Sequence, residues 1–105
     1  MVKVSSLRTY SRGAAALVTG AGSGIGRSFA CELARRGSSV LCVDLHAERA
    51  EETAALVEQL GGRGIPYTCD VGKEDQFAAL AEQADRLLGR PTTLVVNNAG
   101  VGVGG

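Results

Sequence analysis

The 105 residues of this chain include eleven basic and eleven acidic side chains, and 45% of the residues are hydrophobic. That apolar content is enough for one small core, whereas a formal net charge of zero gives no reason to expect nucleic acid or an anionic membrane as a partner. The sequence contains no apolar run of transmembrane length, and residues 1–6 lack the apolar centre of a signal peptide. We therefore expect a cytoplasmic protein with no membrane partner.

The metal-binding residue types are sparse. Cys31, Cys42 and Cys69 are odd in number, widely spaced and placed in predicted helices or strands, so we interpret them as small buried thiols in a reducing compartment. His46 has no second histidine to pair with and is expected at the surface or at a helix start. We predict no metal site.

The chain begins with a segment that shows no hydrophobic periodicity. Residues 1–13 carry Lys3, Arg8 and Arg12 among serines, which predicts a flexible, solvated N-terminal arm. Residues 14–105 are predicted to form a single domain.

That domain opens with a glycine-rich turn between a strand and a helix. The apolar run 14–19 is short enough to be a buried strand, and Ile25, Phe29 and Leu33 recur as on one face of a helix. Glycines occupy positions 20, 22, 24 and 26. Free N–H groups and the helix dipole attract phosphate there, and glycine has no Cβ to hold a ligand away. The turn is predicted to hold a phosphate group; the alternative is a turn that only reverses the chain.

Three further strands and two further helices are predicted from short apolar runs and helical apolar stripes. The strands cover 39–43, 64–69 and 93–96, and the helices cover 47–60 and 73–88. Pro66 cannot donate a ladder hydrogen bond, which favours an edge position for its strand. The predicted buried faces of the two helices are Ala50, Ala54, Val57 and Leu60, and Phe77, Leu80, Ala81, Ala84, Leu87 and Leu88.

Four apolar strands that alternate with three helices predict a parallel sheet with right-handed crossovers. We expect a doubly wound, Rossmann-like α/β fold, partial, with the strand order 3-2-1-4. Ligands bind beyond the carboxyl ends of such strands, where the order reverses. The glycine turn, Asp44, Asp70 and Asn97 all fall at that end of the sheet.

Two aspartates follow predicted strands. The carboxylate of Asp44 follows the glycine turn at the interval typical of a residue that accepts both hydroxyls of an adenosine ribose. A 2′-phosphate would meet a like charge there, so Asp44 favours NAD over NADP; the alternative is N-capping of the next helix. Asp70 and Val71 are predicted to border an adenine ring, with N-capping of the third helix as the alternative.

Four motifs together resemble the short-chain dehydrogenases/reductases. Residues 19–26 are similar to that family's Thr-Gly-x-x-x-Gly-x-Gly cofactor motif, and residues 97–100 to its Asn-Asn-Ala-Gly. Asp70-Val71 resembles its adenine-contacting pair, and Asp44 the acidic residue of its NAD-preferring members. The resemblance covers residues 14–102 and implies cofactor-binding roles for Gly20, Ser23, Gly24, Ile25, Gly26, Asp44, Asp70, Val71, Asn97, Ala99 and Gly100.

The resemblance implies hydride transfer between a nicotinamide dinucleotide and a small alcohol or carbonyl substrate. In that family a tyrosine with a lysine four residues later handles the proton, supported by a serine. Here Tyr10 and Tyr67 are followed at that interval by Ala14 and Val71, so no catalytic residue is assigned. We expect the N-terminal cofactor half of such an enzyme, inactive alone and homo-oligomeric in its full-length form.

Two other functions are compatible with parts of the pattern. A class I methyltransferase also has a glycine-rich turn and an acidic residue after strand two, but Val18 stands where its motif usually has an acidic residue. A non-catalytic nucleotide-binding or interaction module would account for the lack of an acid–base pair.

Overall fold

The sheet and its helices follow the predicted order along the chain. A computed structural model describes residues 13–98. The predicted arm before Gly13, and the predicted site residues Ala99 and Gly100, lie outside the described residues. The elements are β1 (Ala15–Thr19), α1 (Gly24–Arg35), β2 (Ser39–Asp44), α2 (Ala47–Gln59), β3 (Arg63–Thr68), α3 (Glu74–Leu88) and β4 (Leu94–Asn97).

The four described strands form one parallel sheet in the order β3-β2-β1-β4, which confirms the predicted order. Thr19, the last residue of β1, lies beside Val43 of β2 and Asn97 of β4. Pro66 pairs only with Cys42 on β2, and β3 is an edge strand, as the missing N–H predicted. The register therefore brings the ends of β1, β2 and β4 together at one edge of the sheet.

Two apolar cores cover the two faces of the sheet, because alternate residues of a strand point to opposite faces. On one face Val18 packs with Leu33 of α1 and Val57 of α2. On the other, Leu17 and Leu41 pack with Leu80, Ala84 and Leu88 of α3. Burying a side chain such as Leu33, Leu41 or Leu80 contributes about 1.5–3 kcal/mol each. The two cores fix the positions of the helices on the sheet. They therefore also fix the direction in which each helix N-terminus points.

Two residues of the predicted apolar face of α3 are exposed. Phe77 is 41% exposed, because it lies in the first turn of its helix, at the edge where the strands end. Ala81 is also exposed, since it lies to one side of the buried stripe of α3. Ile25, a predicted site residue, is 63% exposed in the first turn of α1. The helical period correctly predicted the buried stripe of α3 and was wrong at its first turn and at its flank.

The α3 face of β4 is open in the part of the chain that the structure describes. Leu94 and Val96 are buried toward α1, whereas Val95 is 51% exposed on the opposite face. The reason is that α3 packs over β1 and β2, not over β4.

Candidate functional site

A cleft of about 720 Å³ lies at the carboxyl ends of the strands. This volume is within the usual range for a small-molecule site. It runs from the end of β4 to the turn after β3, and its lining includes the predicted residues Gly20, Asp44, Asp70, Val71 and Asn97. Ser23, Gly24 and Ile25 are exposed at the start of α1 and do not line this cleft, and Gly26 is buried.

The two glycines that open α1 have different surroundings. Gly24 has a φ of +53°, and a Cβ added there would meet no atom within 4 Å. At Gly26, an added Cβ would overlap the carbonyl oxygen of Gly20 and lie 2.8 Å from Asn98 Nδ2. Gly26 therefore lets the helix approach the end of β1, while Gly24 leaves open space in front of the helix.

The N-terminus of α1 differs from those of the other two described helices. None of the three described helices has a side-chain capping hydrogen bond from its N-cap residue, which is Ser23 in α1. What distinguishes α1 is that its first turn contains no acidic residue. By contrast, α2 has Glu48 in its first turn, and α3 has Glu74 and Asp75. Acidic side chains near a helix N-terminus compete with a bound anion for the same positive potential. Of these helix ends, that of α1 is the one suited to an anionic ligand.

A hydrogen-bond network joins the end of β4 to the glycine turn. The Thr19 hydroxyl donates to Asn97 Oδ1 at 3.0 Å and accepts the Asn98 backbone N–H at 2.9 Å. The side-chain amide of Asn98 donates to the Gly20 carbonyl at 3.4 Å. Thr19 and the two asparagines thus hold the turn against the neighbouring strand, which places Gly20 and Asn97 on one wall of the cleft.

The carboxylate of Asp44 lies at the centre of the site and is 7% exposed. Its Oδ2 accepts the Gly22 N–H at 2.9 Å, and its Oδ1 accepts the His46 N–H at 2.9 Å. The N-cap residue of α2 is His46, so the alternative interpretation of Asp44 as that helix's cap is wrong. A carboxylate has about four acceptor positions, and two amide donors therefore leave capacity for two hydroxyl donors.

Asp70 makes a local turn. Its Oδ1 accepts the Gly72 N–H at 2.9 Å, and its own N–H donates to Gln76 Oε1 at 2.7 Å. The N-cap residue of α3 is Lys73, so the capping interpretation of Asp70 is also wrong. Val71, next along the chain, is half-buried against the α3 core and gives the cleft an apolar wall together with Phe77.

The thiols near the site are neutral. Burial raises the pKa of Cys42 to about 12, with a smaller contribution from Cys31. Burial also raises the pKa of Cys69, with a smaller contribution from Asp70. Cys42 and Cys69 are buried, as predicted, whereas Cys31 is half-buried. Within residues 13–98 no three His, Cys, Asp or Glu side chains cluster as metal ligands, and His46 is exposed at the start of α2, as predicted.

Comparison with known proteins decides what kind of protein carries this cleft. A model of the short chain dehydrogenase family matches residues 14–105. The chain belongs to the short-chain dehydrogenase family. Members of this family are NAD(P)-dependent oxidoreductases, and the chain corresponds to their N-terminal cofactor-binding part. The match also decides against the methyltransferase alternative.

Named relatives cover the same part of the family. The chain is 40% identical over 90 residues to 7α-hydroxysteroid dehydrogenase of Escherichia coli (strain K12), covering 86% of the chain and 35% of that protein. It is 38% identical over 92 residues to dehydrogenase/reductase SDR family member 1 of Mus musculus, covering 88% of the chain and 29% of that protein. The short-chain dehydrogenase chain thus spans about a third of the length of these relatives.

Solved structures confirm the fold. A 7α-hydroxysteroid dehydrogenase complexed with NADH and 7-oxo glycochenodeoxycholic acid superposes with a TM-score of 0.79 at 36% identity, over 93% of this chain and 37% of the other. An NAD⁺-bound xylitol dehydrogenase gives a TM-score of 0.72 at 32% identity, over 79% and 32% of the two chains. Among residues 13–98, no helix combines the length and apolar character needed to cross a membrane.

Sequence reasoning missed two residues that support the site. Gly22 donates to Asp44, and an added Cβ at Gly22 would lie 2.7 Å from Asp44 Oδ2. The sequence signal for Gly22 was its position inside the glycine-rich turn. Thr53 is fully buried on α2 and donates to the Ala21 carbonyl at 2.9 Å. Its signal was a polar residue at a position where the apolar stripe of α2 continues.

Proposed function

We propose that this chain binds NAD as the cofactor part of an oxidoreductase that acts on a small alcohol or carbonyl compound. The observation that carries the proposal is the buried carboxylate of Asp44, which is hydrogen-bonded to the glycine turn beside the uncapped N-terminus of α1. An anion-binding helix end next to a diol-binding carboxylate fits the pyrophosphate and adenosine ribose of a dinucleotide.

The residues present fit the other parts of the cofactor as well. The open space at Gly24 and the first-turn amides of α1 would hold the pyrophosphate, with Gly20, Ser23, Ile25 and Gly26 shaping that turn. Asp70 and Val71 would border the adenine, since Val71 and Phe77 supply an apolar wall. Asn97, with Ala99 and Gly100, would border the nicotinamide side.

We expect NAD rather than NADP. Asp44 is buried and held by two amide groups, so a 2′-phosphate at the ribose would face a fixed negative charge. Arg49 lines the same cleft, but it is exposed, and a flexible surface cation is a weaker determinant than a fixed, buried carboxylate.

The bound nicotinamide would supply hydride transfer, and the residues of this chain would bind and orient it. The substrate class follows from the family and is consistent with relatives named as hydroxysteroid and xylitol dehydrogenases. We further propose a cytoplasmic location and a homo-oligomeric full-length enzyme.

A second candidate is a nucleotide-binding module without turnover. The observation that favours it is that neither tyrosine of the sequence is followed four residues later by a lysine, so the proton that accompanies a hydride has no assigned acid or base. Because the chain alone is expected to be inactive, an assay of NADH oxidation with a panel of carbonyl compounds is run on the chain joined to a catalytic half that supplies a Tyr-x-x-x-Lys pair, with the chain alone as the control. Turnover by the joined protein supports the oxidoreductase, and its absence favours the nucleotide-binding module.

Calorimetric titration of the chain with NADH, NADPH and S-adenosylmethionine tests cofactor binding. We expect NADH to bind, NADPH to bind more weakly and S-adenosylmethionine not to bind. The variant Gly24→Val should weaken NADH binding, because its side chain would occupy open ligand space, and should also lower the melting temperature, because a β-branched residue is strained at a φ of +53°. NADH binding is therefore compared at a temperature at which both proteins are folded. Normal NADH binding by a folded Gly24→Val variant would contradict the assigned position of the pyrophosphate.

A further inference from the structure

The hydroxyl of Thr53 is buried in an apolar helix face. Thr53 is 0% exposed, and its neighbours on the same face of α2 are Ala50, Ala54 and Val57. An apolar side chain would fill this position without the cost of burying a hydroxyl, which is unfavourable unless its hydrogen bonds are made. The role of Thr53 therefore depends on what its hydroxyl binds.

The Thr53 hydroxyl makes two hydrogen bonds, one as acceptor and one as donor. Arg27 Nε lies 3.0 Å from Thr53 Oγ1, and Thr53 Oγ1 lies 2.9 Å from the Ala21 carbonyl oxygen. A guanidinium can only donate, so the hydroxyl accepts from Arg27 and its single hydrogen points to Ala21. Arg27 is itself held by Glu52 at 3.1 Å. Arg27, a residue of α1, thus fixes the direction in which the Thr53 hydroxyl donates.

The group that receives this hydrogen bond is the peptide that precedes Gly22. Its carbonyl, from Ala21, accepts from Thr53, and its N–H, from Gly22, donates to Asp44 Oδ2 at 2.9 Å. A glycine on one side of a peptide makes other peptide orientations accessible at low cost. If this peptide turned over, a carbonyl oxygen would face the Asp44 carboxylate in place of the N–H donor.

We propose that Thr53 is a positioning residue for Asp44. By binding the Ala21 carbonyl, Thr53 keeps the Gly22 N–H directed at Asp44, and so holds the carboxylate in the orientation that distinguishes an unphosphorylated ribose from a 2′-phosphate. The inference deepens the proposed function and rests on it for the identity of the ligand. The peptide orientation itself is testable without any ligand.

The first test uses the ligand-free chain. In Thr53→Val, an isosteric change that removes the hydroxyl, we expect hydrogen exchange of the Gly22 amide to quicken by roughly tenfold, as for the loss of one hydrogen bond. Thr53→Ser should restore slow exchange. Glu51→Gln, at an exposed position on the same helix, serves as the control and should leave Gly22 exchange unchanged. Unchanged Gly22 exchange in Thr53→Val would overturn the inference.

The second test measures the dissociation constants of NADH and NADPH. Thr53→Val should weaken NADH binding roughly three- to tenfold and lower the preference for NADH over NADPH, because the fixed charge that opposes the 2′-phosphate loses its support. A merely structural threonine would change both constants equally. If Thr53→Val does not fold, Thr53→Ala carries the same comparison.

A double-mutant cycle separates this inference from the function on which it rests. Because Thr53 acts through Asp44, Thr53→Val should have no further effect on the NADH to NADPH ratio when Asp44→Ala is already present. A full additive effect in that background would overturn the inference while leaving NAD binding intact. Absence of NADH binding by the unsubstituted chain would overturn the proposed function and the ligand assignment of Thr53, while the exchange test of the Gly22 peptide would still stand.

Discussion

Asp44 is the last residue of β2 and Asp70 lies two residues beyond β3, and the two aspartates bind different parts of the chain. Asp44 accepts hydrogen bonds from Gly22, 22 residues away, and from His46. The hydrogen bonds of Asp70 stay within its own turn, the most distant being to Gln76, six residues away. One aspartate joins two segments of the site, and the other shapes a single loop.

The difference arises from the position of the two strands in the sheet. Because β2 lies between β1 and β3, the residue at its end faces the glycine turn that follows β1. Asp70 follows β3, an edge strand with a neighbour on one side only among the described residues. An aspartate that ends a central strand is thus buried and shared between two segments, whereas an aspartate two residues beyond an edge strand is half-buried and local.

The largest expected effect is that of Asp44→Ala. Loss of a hydrogen bond to a charged group costs about 1.5–3 kcal/mol, or roughly ten- to 150-fold in NADH affinity, and rejection of NADPH should relax. Titration of both cofactors measures this. If NADH binds Asp44→Ala as it binds the unsubstituted chain, Asp44 only supports the turn and resembles Asp70 more than we propose.

A pair of glycine substitutions compares the two aspartates directly. In Gly22→Ala the new Cβ would overlap Arg49 Cβ and lie 2.7 Å from Asp44 Oδ2, whereas in Gly72→Ala it would lie 3.1 Å from Asp70 Oδ1. We expect Gly22→Ala to lower the free energy of unfolding by about 1–3 kcal/mol and Gly72→Ala by less than about 0.5 kcal/mol. Urea denaturation of both variants is the measurement. Equal losses would show that the two turns are equally constrained.

The buried thiol on β2 predicts a pH dependence. The pKa of Cys42 is raised to about 12 in the folded chain, so its contribution to stability is complete below its ordinary pKa of about 9 and is lost as the pH rises toward the folded value. At pH 10 the loss should be about 1 kcal/mol. Between pH 8 and pH 10, the free energy of unfolding should fall less in Cys42→Ala than in the unsubstituted chain. An identical fall in both proteins would show that groups other than Cys42 cause it.

A small effect is expected for Asp70→Ala. Asp70 is half-buried and binds the N–H of Gly72 in an exposed turn, so its removal should cost less than about 1 kcal/mol of unfolding free energy. NADH affinity should change far less than in Asp44→Ala. A loss of NADH binding comparable to that of Asp44→Ala would remove the distinction between the two aspartates.

The sequence predicted the sheet well because its signals are local. Apolar runs, and a proline that cannot donate, are sufficient for the strand order and for the edge position of β3. Phe77 was placed wrongly because a helical period does not indicate where a helix extends past its sheet. Thr53 was missed on α2 because only apolar residues were assigned to the buried face, although Thr53 follows Ala50 at the spacing of a core position.

The site was less predictable for a different reason. Hydrogen bonds such as that from Gly22 to Asp44 join residues from separate elements, and a side chain that accepts backbone donors gives no periodic signal. The residue types indicated the chemistry of the cleft. Which backbone group each carboxylate binds followed only from the register of β1 and β2.

The uncapped N-terminus of α1 has a consequence for the ligand-free protein. A side-chain cap contributes about 1 kcal/mol to a helix, and Ser23 does not provide one. A bound pyrophosphate would supply the missing acceptor, so that occupancy and folding become thermodynamically linked. At a cofactor concentration of about 100 times the dissociation constant, the linkage adds roughly 2.7 kcal/mol to the free energy of unfolding. In a cell, the lifetime of this protein would then follow the supply of its dinucleotide.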